Sequence, residues 1–304
     1  MSEVYFDFPL TDGSRICVLH YERMAEVNHM NPDGTVPSHS HTFYEMVLIL
    51  RGSCEHIYQG TSTMLLPGDL FLIPPHRAHA YRFYEDVDHF NCQFYADTLS
   101  SEWLEDIQAL RYDRPRRSQS PKAYHGLADI NDQGILHLDN PQIPWLLENL
   151  KNIQSEQGAG RTDGERMKRC LLQLTLARLS RLRALQFGDV SRQDDWKQAL
   201  VEDALSCFEQ NLTGTVDITE LVRSHRISEG YFRQIFKDVT GLPPRQYLNR
   251  MRIVRALELL NVQGLDIAET AERVGIYDPN YFSRLCKKLT GYPPSHFQQR
   301  RGRE

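Results

Sequence analysis

Between residues 16 and 95 the chain alternates short apolar runs with turn residues. ICVL, EMVLIL, CEHIY, TMLL, LFLI, AYRF and FNCQFY are separated by Arg51-Gly52, Gln59-Gly60 and Pro67-Gly68-Asp69. Many short strands at this spacing predict an antiparallel sandwich or barrel. From about 98 to 140 the text turns polar and arginine-rich, which predicts a short helix and then loops. The period then lengthens. Ile143, Leu146, Leu147, Leu150 and Ile153 predict an amphipathic helix opened by Asn140 and Pro141. A second helix opens on Thr162 and Glu165, the spacing of a capping box. Its apolar residues form two stripes, Met167, Leu171, Leu174 and Leu172, Leu176, Leu179, so it buries more than one side, against its own domain or against a second copy. GDVSRQDD (188–195) reads as an interdomain linker, and 196–300 is helical throughout.

The helical part contains a repeat. RQIFKDVTGLPPRQYLNR recurs fifty positions later as SRLCKKLTGYPPSHFQQR, and upstream DITELVRSHRI matches DIAETAERVGI. Each copy reads helix, tight turn, helix, Gly-Pro-Pro stop. Solenoids need three or more copies to build a core, so two copies argue for a paired module. In the second copy Gly275 suits a left-handed turn, Asp278 caps the next helix and Pro279 stands at its first position. Phe282, Leu285, Cys286 and Leu289 face inward, leaving Asn280, Ser283, Arg284, Lys287 and Lys288 outside. In the first copy Ser228 is the cap, and Glu229, Gly230, Arg233, Gln234 and Lys237 face out. Amide, guanidinium and hydroxyl groups on such faces read base edges and hold phosphates. Any one of them is equally a solvated surface residue; the same layout twice is harder to explain that way. Base contacts are expected from Arg233, Gln234, Asn280 and Arg284, and phosphate contacts from Lys237, Arg250, Lys287 and Lys288. The intervening helix of about 16 residues, roughly 24 Å long, can set two heads about one DNA turn apart.

RIVRALELLNVQGLDIAETAERVGIYDPNYFSRLCKKLTGYPPSHFQQR resembles the signature of the AraC/XylS family of bacterial transcription regulators, over about the last 105 residues. Departures are modest: Ile276-Tyr277, Cys286, Pro293 and Val222 replace more usual residues. His225-Arg226 stands where an apolar-Gly turn is usual, which makes the first turn less ideal. The resemblance implies a DNA-binding domain over 195–304, with one helix-turn-helix about 217–240, a linker helix about 244–262 and a second unit about 267–290.

The front of the chain carries its own constellation. HSHTFYEMVLILRG (39–52) places His39, His41 and Glu45 at odd numbers, which on a continuous strand share one face. This spacing, followed by PGDLFLIPPHRAH with His79, resembles the two motifs of cupin barrels. In metal-dependent cupins the positions matching His39, His41, Glu45 and His79 bind a divalent metal, and imidazole with carboxylate suits Zn, Mn, Fe or Ni. In sensor cupins fused to this DNA-binding module the site usually holds a sugar or other effector. Three readings stand: effector contact with no cofactor required, a bound metal, and a metal-dependent cupin enzyme fused to a DNA-binding module. A sugar pocket needs hydrogen-bond groups among aromatic surfaces. His39, His41, Glu45, His56, Tyr58, His79, Tyr81, Arg82, Asn91 and Gln93 are the candidates, only about half of them turned inward by alternation. The HxH…E pattern and the NCQF strand resemble the rhamnose-responsive subgroup.

The expected fold class is therefore α+β multidomain. A cupin-like antiparallel β-barrel occupies 1–135, a helical dimerisation and linker segment 136–190, and an all-α double helix-turn-helix domain 195–304. Charge supports the division. The net charge is −5, yet 195–304 holds 16 Lys and Arg against 14 Asp and Glu, leaving the front strongly acidic. Six cysteines without CxxC spacing suit reduced thiols, and no apolar run approaches a membrane span. The expected protein is a cytoplasmic, non-enzymatic, ligand-responsive regulator, an activator of a carbohydrate or small-molecule utilisation operon. Its partners are promoter DNA, a small-molecule effector, RNA polymerase and a second copy of itself; no membrane is involved.

Overall fold

A computed structural model describes residues 4–5, 14–23, 26–27, 30–58, 61–100, 104, 135–138, 142–157, 159, 161–187, 195–214, 216–240 and 242–298. The described residues up to Leu182 form one compact unit and those from Arg183 another. The linker expected at 188–195 and most of the segment 98–140 lie outside the described residues.

Among the described residues the first unit holds ten strands: β1 (Val4–Tyr5), β2 (Ile16–Tyr21), β3 (Thr35–Ser40), β4 (Tyr44–Arg51), β5 (Cys54–Tyr58), β6 (Thr61–Leu65), β7 (Asp69–Ile73), β8 (His79–Phe83), β9 (Asp88–Phe94) and β10 (Leu136–His137). They form two five-stranded sheets, ordered β1-β3-β8-β5-β6 and β10-β7-β4-β9-β2. Every pair is antiparallel except β1 with β3. In the first sheet alternation is clean: Cys54, His56 and Tyr58 turn in, while Glu55 and Ile57 turn out. The second sheet is buried on both faces, so β4 reads as the continuous apolar run YEMVLIL, broken only by Glu45. On its outer face Ile16, Val18, Leu48 and Phe90 are buried, with the helix Ile143–Glu156 packed on β2, and its inner face meets the first sheet, where Phe71 packs on His56 at 4.7 Å.

Helices α1 (Ile143–Glu156) and α2 (Gly164–Phe187) close this unit. α1 starts at Ile143 with Pro144 in its first turn, later than expected; Asn140 and Pro141 lie outside the described residues. α2 starts at Gly164, two residues past the expected cap Thr162, and Glu165 pairs with Lys168 instead of reaching back to a cap. Both helices tie down β2, an edge strand. Gln157 Oε1 accepts from the Val18 N–H at 2.6 Å, and Lys168 Nζ, 2% exposed, donates to the Ile16 carbonyl at 3.2 Å.

The second unit is helical: α3 (Asp195–Gln210), α4 (Thr219–Ser224), α5 (Glu229–Thr240), α6 (Pro244–Glu258), α7 (Ile267–Arg273), α8 (Pro279–Thr290) and α9 (Pro294–Gln298). A π turn at Leu259–Gln263 extends α6. The repeat is closed by the same side chain twice. Thr240 Oγ1 donates to Phe236 O or Leu242 O and accepts from the Leu242 N–H; Thr290 does the same with Cys286 O, Tyr292 O and the Tyr292 N–H. Phe232, Phe236 and Phe282 are fully buried. All six cysteines are free thiols, and no helix of the described residues is long and apolar enough to cross a membrane.

Candidate functional site: a buried histidine–glutamate cluster and two helix-turn-helix units

The odd-number pattern of His39, His41 and Glu45 arises differently from the expectation. They do not share one strand. His39 lies on β3, the chain turns at 41–43, and Glu45 lies on β4 in the opposite sheet. A bulge in β3 between Val36 and His39 brings His39 opposite His79 of β8. The cluster thus assembles across the gap between the two sheets.

Glu45, 6% exposed, is its centre. It accepts from Asn91 Nδ2 at 2.5 Å and Tyr81 Oη at 3.5 Å, and its Oε2 lies 3.2 Å from His79 Nε2 and 3.6 Å from His41 Nε2. Burial alone would raise its carboxyl, but the positive charge that His41 and His79 can carry beside it outweighs that and holds it well below the usual carboxylate range. The imidazoles are oriented from behind. Nδ1 of His41 faces Phe43 O at 2.7 Å, Nδ1 of His79 faces Arg77 O at 3.1 Å, and Nδ1 of His39 faces Pro37 O at 2.9 Å. Carbonyl oxygens only accept, so each Nδ1 carries the proton. In the neutral ring the Nε2 lone pairs of His41 and His79 then point at a carboxylate, acceptor against acceptor. A cation between them, either a second proton on a ring or a metal ion, removes that conflict. Their three donor atoms lie within 4.8 Å of one another, so the residues fit a divalent metal in two-His, one-carboxylate form.

Around this centre several buried polar atoms of the inner face have no partner among the described residues. Both nitrogens of His56, Oγ1 of Thr63, Oδ1 of Asn91 and Nε2 of His41 and His79 are buried with no hydrogen bond among the described residues. Thr63 and Tyr81 flank His56 in register. Tyr58 is buried next to His56, and Gln93 is half-buried as the register partner of Glu45. Arg82 is a correction: even-numbered on β8, it turns outward and pairs with Glu55 at 2.9 Å on the barrel's outer surface. Thr63 was missed by sequence reasoning; its signal was alternation in TSTML, which places it on the face of His56. Tyr21, register partner of His89, was missed likewise, and burial pushes its hydroxyl up to about 12.

Burial lowers His56 to about 3 and His39 to about 4. The unfolded chain would protonate His56 near 6.5 whereas the folded chain resists, so acidification favours unfolding. Between pH 7 and pH 5 the barrel is expected to lose about 2 kcal/mol through His56 alone, with no corresponding loss from Glu45, whose ionised form persists across that window. Urea titrations at the two pH values, repeated on His56→Phe, check this; an equal loss in the variant would refute the assignment.

In the helical unit each reading helix is set by its cap. Ser228 Oγ accepts from the Tyr231 N–H, and Asp278 accepts from the N–H groups of Asn280 and Tyr281. Gly275 adopts φ +70°, as its turn demands, and Arg226 occupies the equivalent place at φ +54°. That conformation disfavours a side chain. Arg226→Gly is expected to raise this unit's stability by about 0.5–1 kcal/mol, read as a higher urea midpoint; no rise would show the turn unstrained. Glu229, Gly230, Arg233, Gln234 and Lys237 on α5, and Asn280, Arg284, Lys287 and Lys288 on α8, are exposed, with Ser283 half-exposed. Arg250 is a correction. It is 3% exposed, because Tyr247, Arg250 and Val254 fall on the core face of α6, so it does not reach toward a duplex.

Residues 28–175 match the family described as "AraC-like ligand binding domain", and residues 221–300 match a family described as "Helix-turn-helix domain". The chain thus pairs an AraC-like ligand-binding domain with an AraC-type helix-turn-helix domain. It is a ligand-responsive, DNA-binding transcription regulator. Among curated relatives it is similar to the HTH-type transcriptional activator RhaR of Cronobacter sakazakii, 25% identical over 89% of each chain. RhaR of Yersinia pestis is 25% identical over 96% of this chain and 94% of that one. Among solved structures, the C-terminal domain of AraT, a response regulator from Geobacillus stearothermophilus, is 27% identical over 34% of this chain and 85% of that one, with a TM-score of 0.31. In this regulator the ligand-binding match spans β3 to β10, all of α1 and the first half of α2, and the helix-turn-helix match contains both reading helices.

Proposed function

We propose that this regulator takes a small carbohydrate inside the barrel and answers by changing how a cytoplasmic homodimer engages promoter DNA, activating transcription with RNA polymerase. One observation carries the effector reading: the inner face buries His56, Thr63 and Asn91 with polar atoms lacking internal partners. Such groups are costly unless something polar meets them. A hydroxyl-rich ligand among Tyr58, Phe71 and Tyr81 supplies both hydrogen bonds and a surface for the rings. The names of the relatives support activation over repression. A thermal-shift series on the intact chain against pentoses, hexoses and deoxyhexoses tests it, since a ligand that binds only the folded form raises the melting temperature. A shift lost in His56→Phe is expected; no shift with any sugar would remove the carbohydrate class.

The dimer reading rests on α2. Leu172, Leu176 and Leu179 are buried, whereas Met167 and Leu174 are 46% and 50% exposed on another stripe. A second α2 fits that stripe; Leu174→Glu should then shift sedimentation to the monomer. On DNA, Arg233, Gln234, Asn280 and Arg284 would meet base edges, and Lys237, Lys287 and Lys288 phosphates.

A second reading is favoured by the two Nε2 lone pairs that face Glu45: a divalent metal held by His41, Glu45 and His79, with His39 adjacent. When bound it would supply positive charge and coordination positions for effector oxygens. Elemental analysis of protein purified without chelator decides. About one metal per chain, lost in Glu45→Gln, supports it; metal-free protein that still responds to a sugar excludes it. Turnover of a sugar or diketone by the metal-loaded protein would instead favour an enzyme.

A further inference from the structure

The two reading helices occupy equivalent places in the repeat, yet their charge differs. On α5, Glu229 and Asp238 cancel Arg233 and Lys237. On α8, Arg284, Lys287 and Lys288 stand with no acidic residue in the helix. The acid at its cap, Asp278, is committed to backbone N–H groups. The acids of α5 are also tied to that helix's two base-reading candidates. Arg233 Nη2 donates to Glu229 Oε2 at 3.1 Å, and Gln234 Nε2 donates to Asp238 Oδ1 at 2.7 Å. A turn with Arg226 in the left-handed region precedes α5, while the turn before α8 has glycine there.

We infer that the two heads divide the work: α8 anchors the duplex through phosphate charge, and α5 discriminates sequence while adding little net attraction. Near an arbitrary phosphate, Glu229 and Asp238 repel what Arg233 and Lys237 attract. Over a matching site Arg233 leaves Glu229 for a guanine edge, and the released carboxylate accepts from a cytosine amino group. The acids therefore make head one costly to seat on the wrong sequence and cheap on the right one.

The test uses the full-length protein, an operator duplex recovered by selection from a randomised pool with the wild type, and a random-sequence duplex. Binding is measured by anisotropy across a salt series. Lys287→Ala with Lys288→Ala should weaken both duplexes alike, by roughly 50-fold near 0.1 M salt, and flatten the salt slope by about 2. Lys237→Ala should cost less than either of those lysines. Glu229→Gln with Asp238→Asn should tighten the random duplex about tenfold and weaken the operator a few-fold through the lost carboxylate contact, shrinking the ratio between them. Lys287→Arg with Lys288→Arg, which keeps charge, should restore the slope and separates charge loss from misfolding. The proposal is overturned if Arg233→Ala with Lys237→Ala flattens the slope for random duplex as much as the α8 pair. It is equally overturned if neutralising the two acids leaves the operator-to-random ratio where it was.

Discussion

Gly275→Ala is expected to unfold the second helix-turn-helix and cost DNA binding more than a hundredfold. At φ +70° a Cβ would stand 2.8 Å from the Leu212 carbonyl oxygen and from the carbonyl carbon and oxygen of Thr213. These are backbone atoms, and they cannot step aside. Arg252 holds the Leu212 and Gly214 carbonyls, and Tyr277 Oη donates to Thr213 O. The left-handed backbone costs a side chain about 1–2 kcal/mol, and overpacking adds about 1–3 kcal/mol. The sum, roughly 3 kcal/mol, is a large share of a domain's stability. Denaturation followed by far-ultraviolet circular dichroism, together with anisotropy on operator DNA, checks it. Arg226→Ala is the contrast: a side chain already sits there, so that variant should change little. Equal behaviour of the two would show that the close approach at Gly275 carries no cost.

Glu45→Ala should be the most damaging change in the barrel, at about 3–5 kcal/mol. It strips Asn91 Nδ2 and the Tyr81 hydroxyl of their acceptor and leaves His41 and His79 facing nothing. Glu45→Gln separates charge from packing. The amide keeps an acceptor for Asn91 or Tyr81, and its NH2 can donate to an Nε2 lone pair, so the fold should survive with a loss near 1 kcal/mol. Effector response should vanish in both. If the glutamine variant is as unstable as the alanine variant, the negative charge itself holds the two sheets together.

The helix-turn-helix units were legible because their determinants are local. Caps at Ser228 and Asp278, the turn at Gly275 and the Thr-Gly-x-Pro-Pro stop each act within a few residues, and the duplication presents them twice. Arg250 misled because its identity fits a phosphate contact, while its burial depends on where the core lies around α6, a tertiary fact. Most strands were legible from apolar runs. β3 was not, since TVPSHS is polar and carries a proline that usually demotes a strand. That hidden strand is why the numbering parity of His39, His41 and Glu45 pointed to one face when two sheets supply them. Thr63 and Arg82 show the same limit from the other side. Alternation says that neighbours differ, and only sheet pairing says which of them turns inward.

The side chains that hold β2 have an outcome outside signalling. A strand at the rim of a sheet offers its free backbone groups to any passing chain. Here Val18 and Ile16 spend theirs on Gln157 and Lys168, reached across more than a hundred residues of sequence. The rim stays closed only once the helices have docked. Until then a half-made chain leaves it open to ribosome-mates, and clumping during synthesis, in place of slow unfolding afterwards, becomes the expected failure of Lys168 variants.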